Sequence, residues 1–193
     1  MTETKQSGGG QILKLALVLL AVAAVIALVL GAVNEVTKEP IQKHQEEKRN
    51  AAYAAVMPGK GNTYEEIDAG SYTNDASNTI TKLSVAKDAS GNEIGYVAET
   101  TFSGAQGMIT MVIGLDNDLT CTGIGITKHS ETSGLGAKAA DPNDPFTQSM
   151  KGLTDGAKLA KDSGTVAAIS GATLTSRAVV TEIQTVIDAV KSL

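Results

Sequence analysis

From Leu15 to Val33 the chain runs nineteen residues without a charged or strongly polar side chain. At about 1.5 Å per residue, such a helix comes close to spanning a hydrocarbon layer of about 30 Å. Lys5, Lys14 and the amino terminus precede it, whereas Glu35, Lys38 and Glu39 behind it are nearly balanced. Positive charge stays on the cytoplasmic side, so the expectation is a cytoplasmic N-terminus with the rest of the chain outside. The rival is a cleavable signal peptide. Against it, the run exceeds a usual signal core, and Leu30-Gly31-Ala32 lacks the small residue at −3 that cleavage favours. The expected division is a cytoplasmic tail (1–14), polar, Gly-rich and poorly ordered over Met1–Gly10, a transmembrane helix (15–33), a stalk (34–60) and an extracytoplasmic domain (61–193).

In the stalk, Pro40 suits the first turn of a new helix. Glu46-Glu47-Lys48-Arg49 and the Ala-rich 50–56 continue it as a partly exposed helix, stopped by Met57-Pro58-Gly59. Beyond Tyr64 the pattern alternates. Leu83 and Val85, then Ile94, Tyr96 and Ala98, then Ile109, Met111, Ile113 and Leu115, then Thr122, Ile124 and Ile126 predict four antiparallel strands with one buried face. Asp88–Asn92 and Asp116-Asn117-Asp118 are the turns between them. Gly123 and Gly125 within the last strand suit close packing or a bulge.

Two stretches remain. Val166–Ile169 reads as a short buried strand, punctuated by Ser170-Gly171. Val179, Ile183, Val186, Ile187 and Val190 then recur at helical spacing, with Thr175 or Ser176 as N-cap. A turn into a helix start presents free N–H groups and a positive dipole end, a seat for phosphate. Hydroxyls favour such places for local reasons too, so an ordinary capped helix is an equal reading of these residues. Earlier, 129–138 (His-Ser-Glu-Thr-Ser-Gly-Leu-Gly-Ala-Lys) is a loop rich in Gly and hydroxyls, ahead of a helix around Asp144–Met150. By composition it is a surface connection. The fold expected is α+β, an antiparallel sheet covered by the C-terminal helix.

Composition narrows the chemistry. Sixteen basic against twenty-one acidic residues, a net charge of −5, argues against a nucleic-acid partner. Cys121 is the single cysteine, so an iron–sulfur cluster held by this chain is excluded. Redox work would need an organic cofactor.

Ser170-Gly171-Ala172-Thr173 resembles the flavin-attachment motif of the FMN-binding domain family. The 129–136 loop resembles that family's His-x-Glu-Thr-Pro-Gly-Leu-Gly loop, with Ser133 in place of Pro. Ala167 stands where members often have an acidic residue. The resemblance implies covalent FMN, joined through its phosphate to the Thr173 hydroxyl by a flavin transferase. It further implies phosphate contacts from Ser170, Thr175 and Ser176. Glu131 and Thr132 would supply polar contacts to the flavin, and Leu135, next to Gly134, an apolar one. With its anchor and length, the chain is similar to the G-subunit family of Rnf electron transport complexes. The related C-subunit family of sodium-pumping NADH:quinone reductases is generally longer. This implies an electron carrier in a membrane complex coupling ferredoxin and NAD chemistry to ion transport. Its partners would be other membrane and peripheral subunits, the flavin transferase and membrane lipid. Two other readings stay open: a membrane-tethered flavin reductase using Glu131 or His129 as proton donor, and a non-catalytic anchored binding module.

Overall fold

The computed structural model describes residues 8–59, 61–68 and 78–193. Of the expected N-terminal tail, Met1–Ser7 lie outside the described residues, as does Lys60 at the stalk's end. The chain divides into two compact units between Glu46 and Glu47.

Helix α1 (Gly8–Val56) is continuous and includes Pro40 in its interior. Two expectations are thereby corrected: Gly8–Gly10 belong to the helix, and Pro40 does not open a new one. An interior proline removes one backbone hydrogen bond, a cost of about 3 kcal/mol. Strong helix formers on both sides of Pro40 keep the remaining ladder going. In the first unit, apolar side chains such as Leu15, Val18, Leu20, Val25, Leu28 and Val29 are exposed all round. Among the described residues, one helix is long and apolar enough to cross a membrane, within Ile12–Val56. A helix apolar on every side suits a lipid surrounding.

The second unit is built on a five-stranded antiparallel sheet in the order β1-β2-β3-β4-β5. The strands are β1 (Thr63–Ile67), β2 (Asn78–Lys87), β3 (Glu93–Ser103), β4 (Met108–Asp116) and β5 (Cys121–Lys128). Four strands were expected. The additional one, β1, is a polar edge strand without alternation, held to β2 by the ion pairs Glu65–Lys87 and Glu66–Lys82. The Asp88 carboxylate accepts the Ser90 and Asn92 N–H groups, and Asp116 accepts those of Asp118 and Thr120. These turns fix the registers Leu83↔Ala98 between β2 and β3 and Ile113↔Ile124 between β4 and β5.

Helix α3 (Thr173–Lys191) covers one face of the sheet, with Val179, Ile183, Val186, Ile187 and Val190 all buried. They meet Ala98, Phe102, Met111, Ile113 and Leu115 in one core. The antiparallel sheet and its C-terminal helix bear out the α+β expectation.

The opposite face is covered as well, against the expectation of a single buried face. The last turns of α1 bury Tyr53 and Val56, followed by Met57, against Ala86, Val97 and Val112. Tyr53 donates to Glu99 Oε1 at 2.8 Å and stacks edge-on against Tyr64. Glycines make room for this: a Cβ on Gly125 would sit 3.1 Å from Ala52 Cβ, and one on Gly114 would strike Val56. The glycines of β5 serve packing.

Cys121 is buried at the start of β5, and burial pushes its thiol up to about 12. Its thiolate fraction at pH 8 is therefore small and its access poor. Iodoacetamide should leave Cys121 unmodified in the native protein and alkylate it fully after denaturation, as read by mass.

Candidate functional site

Val166–Ile169, expected as a strand, is irregular. Val166 makes one isolated parallel bridge to Leu159, while Val166 and Ile169 turn into the core. Among the described residues it pairs with no named strand, and its buried residues anchor it without a ladder. Gly171 follows with φ +76°, a backbone region closed to most side chains. Helix α3 then begins at Thr173, preceded by Ala172, whose side chain offers no cap. The N–H groups of an uncapped first turn are left to bind something else.

This start corrects the expected cap. Thr175 and Ser176 lie inside the first turns of the helix and are fully buried. The Ser176 hydroxyl accepts the Ile169 N–H at 3.0 Å and donates to Ala172 O at 2.9 Å, pinning the incoming chain to the helix. Thr175 Oγ1 donates to Glu131 Oε2 at 2.6 Å. Neither hydroxyl is free to meet a phosphate, because the turn uses both internally. Ser170 is exposed and Thr173 half-buried, and the Thr173 hydroxyl lies on the solvent side, beside Lys161.

Glu131 is likewise committed. Its Oε1 accepts the Gln106 N–H at 3.0 Å and its Oε2 the Thr175 hydroxyl, and the residue is only 9% exposed. Its own N–H donates to His129 Nδ1. The carboxylate therefore joins the β3–β4 hairpin, the 129–138 loop and α3. That arrangement makes Glu131 a strut between these segments. Within the loop, Thr132 O accepts the N–H groups of Leu135 and Ala137, and Gly134 takes φ +76°. Thr132 and Leu135 remain exposed. A Cβ on Gly171 would lie 3.0 Å from Leu135 Cδ2, so a side chain there would crowd the leucine. The 129–138 loop thus meets the start of α3 at Glu131–Thr175 and approaches the 170–173 turn at Leu135–Gly171.

Three charged residues complete the neighbourhood. Arg177 grips Asp162 through two hydrogen bonds, Nε at 2.8 Å and Nη2 at 2.9 Å. This pairing holds the Asp162 carboxyl below its usual range. Between that pair and the motif, Lys161 Nζ reaches to 3.5 Å from Thr173 Oγ1. Sequence reasoning missed Lys161 and Asp162, because a pairing across loops leaves no periodicity. Beside Ser170 opens a cleft of about 340 Å³, lined by Lys138, Asp144, Phe146 and residues 167–169 among others. The short helix α2 (Pro145–Gln148), which carries Phe146, is capped by the Asp144 carboxylate and lies where a helix was expected.

A solvent-side hydroxyl at an uncapped helix start, a cation within reach and an adjoining cleft fit a phosphorylated cofactor such as FMN. Comparison with known proteins agrees. Residues 104–188 match the FMN-binding domain family, and residues 1–56 match the RnfG N-terminal region. The G subunit of an ion-translocating oxidoreductase complex from Methanosarcina acetivorans is 34% identical over 188 residues, covering 96% of this chain and 98% of that protein. The chain belongs to the RnfG family. Another relative, the G subunit of the Na(+)-translocating ferredoxin:NAD(+) oxidoreductase complex of Acetobacterium woodii, is 32% identical over 87% of this chain and 86% of its own length. A third, from Cereibacter sphaeroides, is 32% identical over 81% of this chain and 74% of its own. Both motif loops, at 129–138 and 170–173, fall inside the stretch matching the FMN-binding domain family.

Proposed function

We propose that this chain is the electron-carrying G subunit of a membrane-bound, ion-translocating ferredoxin:NAD oxidoreductase complex, with FMN joined covalently to Thr173. The observation that carries the reading is the solvent-side Thr173 hydroxyl on the uncapped first residue of α3, within a chain that matches a G subunit over nearly its whole length. Attachment forms a phosphorus–oxygen bond at Thr173 Oγ1, whose proton is released. The donor is a flavin phosphoanhydride such as FAD, and a flavin transferase breaks the anhydride bond so that AMP leaves. FMN, once bound, supplies the electron chemistry.

The chain's own residues hold and shield. First-turn N–H groups of α3 and the helix dipole favour the phosphate charge. The Ser170 hydroxyl lies on the same exposed turn, while Thr132 and Leu135 offer a polar and an apolar contact from the facing loop. Ser176 and the Glu131–Thr175 bond keep both loops in place and so position Thr173. An electron carrier needs no dedicated general acid or base. Wild-type protein made with a flavin transferase should fluoresce as a yellow band on a denaturing gel; a dark band would refute covalent attachment.

In this reading the apolar part of α1 spans the membrane among lipid, with the tail inside the cell and the domain outside. Other subunits of the complex are its partners. The positive charges on the N-terminal side of the apolar run (Lys5, Lys14 and the amino terminus) set that orientation. Protease added to intact, outer-wall-stripped cells should digest the domain and leave a membrane-embedded N-terminal fragment. Full protection of the domain until the cells are lysed would reverse the orientation.

A further inference from the structure

We propose that Lys161 is the counter-ion of the phosphoryl group at Thr173, held in position by the Asp162–Arg177 pair. This rests on the covalent reading above and adds a residue to it.

The placement of Lys161 is built from both sides. Its 3₁₀ turn, Ala160–Asp162, is tied down by Ala160 N–H to Val166 O and Asp162 N–H to Leu159 O, each 2.8 Å. Ser163 closes the turn with φ +65°. Asp162 is then clamped to Arg177, one turn along α3 from Thr173. The backbone on either side of Lys161 is thus fixed against the helix that carries Thr173. Its ammonium group lies 3.5 Å from the threonine oxygen. At that distance an exposed ammonium gains little from a neutral hydroxyl, and surface contacts of this kind contribute almost nothing to stability.

A phosphodiester on the same oxygen changes the balance. It carries a full negative charge at neutral pH, and hydrogen bonds between two charged groups are shorter and about twice as strong as neutral ones. Asp162 makes its two hydrogen bonds with Arg177, and Lys161 acts on that carboxylate through charge while its ammonium group reaches toward Thr173. Lys158 and Lys161 both act electrostatically on Asp162. Lys161 is thus the cation that reaches the Thr173 oxygen, while the charge of Asp162 is paired with Arg177. The adjoining α3 N-terminus adds its dipole in the same sense. Positive charge is therefore gathered where one phosphate would be joined.

The test uses the full-length protein in detergent with a flavin transferase and FAD, comparing wild type with Lys161→Met, Lys161→Arg, Lys161→Glu and the remote control Lys151→Met. Initial labelling should fall roughly five- to tenfold for Lys161→Met and further for Lys161→Glu, while Lys161→Arg stays near wild type. Added salt should narrow the gap between wild type and Lys161→Met. After labelling is driven to completion, the phosphorus-31 resonance of the attached flavin should move in Lys161→Met and stay in place in Lys151→Met. Melting temperatures should be unchanged throughout, because Lys161 is exposed. Wild-type labelling rates and an unmoved phosphorus resonance in Lys161→Met would overturn the role of Lys161 and leave attachment at Thr173 standing. Absence of label on the wild type itself would overturn both.

Discussion

Ile183→Asp should unfold the second unit near room temperature. Ile183 is fully buried at the centre of the α3 face that meets the sheet. The substitution removes an aliphatic side chain, at about 2–5 kcal/mol for losses of this size. It also places a carboxyl among apolar groups, which costs about 2–7 kcal/mol without a partner. The sum rivals the whole stability of an ordinary domain, about 5–15 kcal/mol. Thr181→Asp, on the exposed side of the same helix, should change stability by no more than about 0.5 kcal/mol. Circular dichroism melts of the detergent-solubilised protein separate the two. A wild-type melt for Ile183→Asp would mean that α3 does not pack on the sheet.

Thr173→Ala should abolish covalent flavin altogether. The chemistry explains why the effect is all-or-none: without Oγ1 there is no atom for the phosphorus to join. Thr173→Ser keeps an oxygen at the same place and should keep the label. Thr175→Ala should behave differently from either. It leaves Glu131 Oε2 without the hydroxyl that donates to it, a buried loss of about 1–3 kcal/mol. The protein should melt earlier yet still take the flavin, as seen by in-gel fluorescence. If Thr175→Ala removes the label and Thr173→Ala retains it, the acceptor is misassigned.

Periodicity made much of this fold legible. The apolar run from Leu15, the alternation through Ile109–Leu115 and the α3 stripe each state what they must bury against, and each is where it was expected. What stayed hidden depends on partners distant in sequence. The end of α1 looks solvated by its charges, and its burial becomes clear only when Gly114 and Gly125 are seen to clear space for Val56 and Ala52. Strand β1 has no buried face to announce it. For the proposed site, the motif string is what singles out Thr173 and the facing loop. The internal roles of Thr175, Ser176 and Glu131 could not be read there, since a hydroxyl bonding a carboxylate forty-four positions away leaves no local pattern. Lys161 and Asp162 were missed for the same reason: only the folded chain brings them to the start of α3.

Trypsin cuts after Lys161 and Arg177, releasing residues 162–177 with Ser170, Thr173, Thr175 and Ser176 on one peptide. The most direct measurement is the mass of that peptide, with its fragment ions, from wild-type protein produced alongside a flavin transferase. The expected result is a gain equal to FMN less one water, located by fragmentation on Thr173. An unmodified peptide, or the same gain located on Ser170 or Thr175, would contradict it.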